Sequence, residues 1–137
     1  MEEKKVIGRR ETVNFPQLKL LNIPAKTDTG AYTSSIHCTN IQENPDGLYC
    51  TFKHAGLPGT EEKLVFSEFT RKRVRSSNGE LQNRYKVHTL IEVNNKCYSI
   101  ELTLANRNKM RYPVLLGRKF LKGKFLVDVS LKKSKRI

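Results

Sequence analysis

An aspartate followed by two small residues sits in the stretch Lys26-Thr27-Asp28-Thr29-Gly30-Ala31-Tyr32-Thr33-Ser34-Ser35, the part of this 137-residue chain whose residue types could do chemistry. Set between β-type segments, such a turn aims a carboxylate into a cleft. Gly30 is expected to give the backbone unusual dihedrals and to let a substrate or a second chain approach closely. Paired with a second carboxylate that shares a single proton with it, such a group can activate water. The turn occurs once, so the second aspartate is expected from an identical partner chain.

Short strands joined by turns must position that carboxylate. Val87, Thr89, Ile91 and Val93 alternate with His88, Leu90 and Glu92; Asn94-Asn95-Lys96 interrupts; then Tyr98, Ile100, Leu102 and Leu104 alternate with polar neighbours, which predicts a β-hairpin. The cluster Asn44-Pro45-Asp46-Gly47 predicts a turn into a strand over Leu48 to Phe52. Ser76-Ser77-Asn78-Gly79 predicts a second tight turn, with Arg71 to Arg75 pairing Arg84 to Val87. Further short strands are expected over Leu64 to Phe66 and Phe125 to Val129. Helical periodicity is confined to about Arg118 to Lys122, where Gly123 would end the helix. This pattern predicts an all-β sandwich or barrel formed by residues 1–137 as one domain, with 130–137 as a mobile basic tail.

The composition narrows the partners. With 26 basic and 13 acidic residues the formal charge is +13, which predicts attraction to a polyanion: nucleic acid, an anionic membrane surface or an acidic polypeptide. No segment approaches the roughly 20 apolar residues needed to cross a bilayer, and the charged start Met1-Glu2-Glu3-Lys4-Lys5 is unlike a signal peptide. Three cysteines, Cys38, Cys50 and Cys97, form no disulfide framework and fit a reducing compartment. A cytoplasmic protein is the expectation.

The second half of the chain gives the Asp-Thr-Gly turn its context. Val114-Leu115-Leu116-Gly117-Arg118, two apolar residues before Gly-Arg and a short helix, resembles the segment beside the catalytic loop of retropepsins. More specifically, the chain resembles the RimB-type group of retropepsin-like aspartic peptidases, historically labelled ATP-dependent zinc proteases. The resemblance runs through Ile7 to Glu11, Lys26 to His37, Val74 to Ser76, and Leu104 to Met110 leading into Leu115 to Arg118. It departs at Thr27, where an aliphatic residue is usual, and at Val129, where proline commonly follows the last aspartate.

This resemblance implies a retropepsin-like barrel with a flap hairpin and one short C-terminal helix. It also implies a homodimer in which Asp28, Thr29 and Gly30 of each subunit form the catalytic loops, with Thr29 bracing them across the axis and Ser76 to Gly79 as the flap tip. Lys26, Thr33, Arg73, Arg75, Arg111 and Arg118 are implied in substrate binding, with Arg71, Lys72, Arg84 and Arg107 nearby. Guanidinium groups around a cleft suit carboxylates, and the group's association with ATP-grasp glutamate ligases implies trimming of poly-α-glutamate. For zinc, His37-Cys38, Cys50 and His54, His88 and Cys97 lack the spacings of a tetrahedral site, so no metal is expected and His37 is read as a hydrogen-bonding residue behind the loop. No Gly-rich phosphate loop precedes a helix, so neither ATP nor another cofactor is expected. The competing reading is a basic β-barrel that binds nucleic acid. The lack of Trp and of basic-aromatic interleaving weighs against it.

Overall fold

The computed structural model describes residues 3–53, 61–75, 77–106 and 111–134. His54, Ser76, Arg107, Met110, Lys135 and Arg136 therefore lie outside the described residues. The strands are β1 (Lys5–Ile7), β2 (Arg10–Phe15), β3 (Leu20–Thr27), β4 (Ser34–His37), β5 (Thr39–Asn44), β6 (Gly47–Lys53), β7 (Glu61–Phe66), β8 (Thr70–Arg75), β9 (Leu81–Val93), β10 (Lys96–Ala105), β11 (Val114–Leu116) and β12 (Phe125–Val127). A 3-10 turn spans Pro16–Leu18, and the one described α-helix, α1, spans Arg118–Leu121.

Six strands close a barrel in the order β10, β4, β11, β3, β2, β9 and back to β10, with β8 added at the outer edge of β9. The fold is thus an all-β barrel with one short helix, as the strand pattern predicts. β5, β6 and β7 form a separate antiparallel sheet, and β1 pairs in parallel with β12. No helix among the described residues is long and apolar enough to cross a membrane.

The alternation read from the sequence is the barrel's inside and outside. Val87, Thr89, Ile91 and Val93 are buried along β9, and Ile100, Leu102 and Leu104 along β10, because successive side chains of a strand point to opposite faces. The connecting turn is tighter than expected. Asn94 and Asn95 alone make it, both at positive φ, and Lys96 already pairs with Val93, which is the two-residue geometry that matches the strand twist. Arg71 lies opposite Tyr85 and Arg75 opposite Leu81, so the second hairpin also forms and begins three residues earlier on β9 than Arg84.

Closure depends on pairings between distant segments. β11 runs parallel to β3 and antiparallel to β4, and β4 runs parallel to β10. Tyr98, Phe120 and Phe125 pack edge-on or tilted, with centroids 5.1–6.0 Å apart, and seat α1 and β12 against β10.

The segment expected to start a mobile basic tail is docked through residue 134. Arg9 and Arg10 donate backbone N–H groups to Leu131 O and Lys132 O. The backbone N–H and hydroxyl of Ser134 both donate to Glu11, at 2.7 and 2.8 Å. Glu11 is an inward-facing residue of β2, buried beside Val13 and Phe15. Its carboxylate also accepts the Gly8 N–H at 2.9 Å, so the buried charge has three donors.

Candidate active site

Asp28 follows the last residue of β3 and is held from behind by the short strand beside it. Its backbone N–H donates to Leu116 O at 2.9 Å, and Ala31 N–H closes the turn onto Asp28 O at 3.1 Å. The Gly30 N–H donates to Asp28 Oδ1 at 3.2 Å. No described residue hydrogen-bonds the other carboxylate oxygen of Asp28, which is half-buried on a loop whose Thr29 and Gly30 are exposed. A fixed backbone with one carboxylate oxygen open is suited to polarise a water.

Helix α1 completes the support. The first N–H groups of a helix have no partner within it; here Arg118 N–H donates to Ala31 O and Lys119 N–H to Tyr32 O, at 2.8 and 2.9 Å. The Gly117 N–H donates to the buried Ser34 hydroxyl at 2.9 Å. Gly117 itself has an ordinary φ of −91°. A Cβ there would lie 2.5 Å from Thr33 O and 2.8 Å from Tyr32 O, so the glycine of the Gly-Arg pair is required by close approach of two backbones.

Gly30 differs from the expectation in its backbone dihedrals. Its φ lies outside the left-handed region, and a Cβ would meet only Asp28 Oδ1, at an ordinary 3.5 Å. Its small size leaves open space in front of the loop, and the backbone could be adopted by other residues. Thr27, the departure from the usual aliphatic residue, has a clear role: its hydroxyl donates to Gly8 O and Arg9 O at 3.0 and 2.8 Å. Through Gly8 this joins the Asp28 loop to Glu11 and the docked tail. Val129, the other departure, is exposed and bears on neither.

The residues expected to bind substrate fall into separate places. Lys26 and Arg111 come together with Arg9, Arg10 and Tyr112 around a depression of about 190 Å³. Arg10 Nη1 donates to the Tyr112 hydroxyl at 2.8 Å, and the Arg111 guanidinium lies 6.0 Å from the same ring. Thr33 borders a different hollow with His88, Glu101 and Lys119. Arg118 is turned onto the Asp28 loop, its Nη1 donating to Thr29 O at 2.9 Å and its guanidinium 5.9 Å from the Tyr32 ring. Arg73 is exposed on β8 opposite Asn83, and Arg75 donates across the hairpin to Gly79 O at 2.7 Å. Arg71 is paired with Glu43 at 2.6 Å.

Arg9 and Arg10 were legible only as part of a matching motif. Their place beside Lys26 follows from the β2–β3 register, in which Arg10 lies opposite Lys26. Tyr112 carried no signal in the sequence. Elsewhere, burial pushes the Glu101 carboxyl up, but a hydrogen bond and charge from Lys119, with the charges of Lys86 and His88, together outweigh it and hold the group below its ordinary carboxylate value. Cys38 and Cys50 are buried and hydrogen-bonded to each other. That bond, with burial, pushes the Cys38 thiol far up and keeps it from forming a thiolate. The His37 N–H donates to Pro113 O at 2.7 Å, tying β4 to the segment that enters β11. Among the described residues no group of three or more His, Cys, Asp or Glu side chains converges.

Known proteins resemble this chain. A probable α-L-glutamate ligase of Shewanella halifaxensis is 35% identical over 134 residues, and one of Desulfotalea psychrophila is 35% identical over 133 residues. The matches cover 94% and 93% of this chain but only 29% of each relative, so the chain spans less than a third of their length. The crystal structure of a Legionella pneumophila protein of unknown function, Lpg0085, superposes with a TM-score of 0.72 at 26% identity, over 94% of this chain and 96% of that one. The family model described as retropepsin-like aspartic endopeptidase RimB matches residues 6–136, and the chain belongs to this RimB-like family.

Proposed function

We propose that the chain is an aspartic peptidase that works as a homodimer and hydrolyses glutamate-rich peptides or protein tails. The observation that carries this reading is the Asp28 loop: a carboxylate on a braced turn with one oxygen open, present once per chain. In the dimer, Asp28 of each subunit would face its counterpart across the axis. Two carboxylates so close cannot both ionise and retain one proton between them. The ionised one takes a proton from water as that water attacks the peptide carbonyl, and the protonated one donates to the carbonyl oxygen. The exposed Thr29 would meet its counterpart at the axis.

The substrate class rests on charge and on the relatives. A chain carrying +13, with arginines on both the hairpin and the barrel end, favours an acidic peptide over an apolar one. The relatives named glutamate ligases contain the matched region in a chain more than three times its length. This supports a functional link between the peptidase and the ATP-grasp ligation that would build its substrate. Such work places the protein in the cytoplasm.

Asp28→Asn removes the ionisable group at nearly constant size. Hydrolysis of an oligoglutamate should fall by at least about a thousandfold with the thermal transition retained. Mixing wild-type chains with excess Asp28→Asn chains should depress activity more than dilution does. Residual cleavage near the wild-type rate, or a fully active monomer in sedimentation, would refute the shared dyad.

A further inference from the structure

The depression at the barrel end collects four cations from three parts of the chain: Arg9 and Arg10 around the start of β2, Lys26 near the end of β3, and Arg111 before β11. No acidic residue lines it among the described residues, and none of the four is paired there with a carboxylate. Glu11, the neighbour of Arg10, points inward and is engaged by Gly8 and Ser134. Holding four like charges around one hollow is unfavourable unless an anion enters it. The groups are also pre-oriented. Tyr112 receives Arg10 at its hydroxyl and Arg111 over its ring, which limits the side-chain entropy lost on binding.

Residues of the depression are bonded to the strand end that carries the Asp28 loop. Arg9 O accepts both the backbone N–H and the hydroxyl of Thr27, at 2.9 and 2.8 Å, and Lys26 stands two residues before Asp28 on the same strand end. The hairpin arginines contrast with this, since Arg71 is committed to Glu43 and Arg75 to Gly79 O.

We propose that Arg9, Arg10, Lys26 and Arg111, organised by Tyr112, form a subsite that recognises acidic side chains of a bound peptide and so determines specificity. This rests on the peptidase reading for its substrate, with the recognition assigned to this depression and not to the hairpin. The planar guanidinium groups can pair with carboxylates bidentately, and Lys26 adds a point charge.

The test measures binding apart from catalysis, on the full chain carrying Asp28→Asn. Fluorescent hexaglutamate is titrated by anisotropy at low and physiological ionic strength, with hexaglutamine as the neutral control. Arg9→Gln, Lys26→Gln and Arg111→Gln should each weaken hexaglutamate binding about tenfold, whereas Lys19→Gln and Lys63→Gln, which remove the same charge from the far end of the β2–β3 pair and from β7, should weaken it less than about twofold. Lys26 and Arg111 are exposed, so their variants should keep the parent thermal transition. Equal losses in the site and control variants, or unchanged affinity in the site variants, would overturn the subsite. So would failure to bind hexaglutamate while a single-stranded oligouridylate binds. Cleavage is not read in this assay. An inert depression alongside Asp28-dependent hydrolysis would leave the dyad standing, and site-dependent binding by a wild-type chain that does not hydrolyse would do the reverse.

Discussion

Around Asp28, backbone groups of β11, α1 and the residues before β2 converge on one turn, and the anchors behind them, Leu116, Ser34 and Glu11, are buried. In the outer β8–β9 hairpin, by contrast, residues 70–73 and 81–84 are all exposed, and the strands are held by their own ladder with a bond from Arg75 to Gly79 O. On the proposed peptidase reading, the two regions divide the labour that the chemistry requires. A reacting carboxylate needs a position fixed by groups that cannot move independently. A segment that covers a substrate must open at little cost, and few buried contacts give it that freedom.

Removing the deepest anchor should break the contrast most severely. Glu11→Ala would leave the Gly8 and Ser134 N–H groups without their buried acceptor, and chemical denaturation should show a loss of roughly 2–5 kcal/mol. Release of residues 131–134 should follow, read as faster amide exchange at Arg9 and Arg10. Full retention of stability would mean that the tail does not support the loop.

Two glycines sharpen the same comparison. Gly117→Ala forces a methyl group against the carbonyls of Thr33 and Tyr32, and it should cost about 3 kcal/mol and reduce turnover with it. Gly79 has a φ of +86° and open space around it, so Gly79→Ala should cost only about 1 kcal/mol through its dihedral. Thermal melts of the two variants should separate clearly, and a reversed order would refute this account of the two turns.

The hairpin's charges should matter less than those of the depression. Arg73→Glu and Arg75→Glu are expected to raise KM for oligoglutamate roughly threefold by weakening long-range attraction, with kcat nearly unchanged. Steady-state kinetics at two ionic strengths would check this. Larger effects here than at Arg9 or Arg111 would move the recognition site to the hairpin.

The smallest effect concerns Glu101, whose carboxyl is held below its ordinary value while facing Lys119, Lys86 and His88. A depressed carboxylate stabilises the fold fully above its unfolded value, about 4.3, and loses that contribution as pH falls through the folded value. Its side chain is only partly screened from water, so Glu101→Gln should cost under about 1 kcal/mol at neutral pH. The difference in melting temperature from wild type should shrink below about pH 4.

The sequence by itself determined the local features. Alternation over residues 87–104 set the hairpin and its inward face. Gly123 marked the end of α1, and the single Asp-Thr-Gly turn marked the loop, because each signal depends on neighbours within a few positions. Only the tertiary structure decided which distant segments meet. The parallel pairing of β4 with β10, the seat of β11 between β3 and β4, and the capture of Ser134 by Glu11 join residues 68 to 123 positions apart or close the barrel around them. The turn chemistry of Gly30 and Gly117 was equally hidden: Gly30 read as a permissive glycine and Gly117 only as part of a matching segment, and only the approach of Thr33 O shows that Gly117 is needed for space. In the same way Arg9, Arg10, Lys26 and Arg111 are four basic residues among 26 in the sequence. They become one electropositive depression because the pairing of β2 with β3 sets Arg10 against Lys26 and the pairing of β11 with β3 brings the segment of Arg111 alongside, and no single strand's alternation says which strands pair.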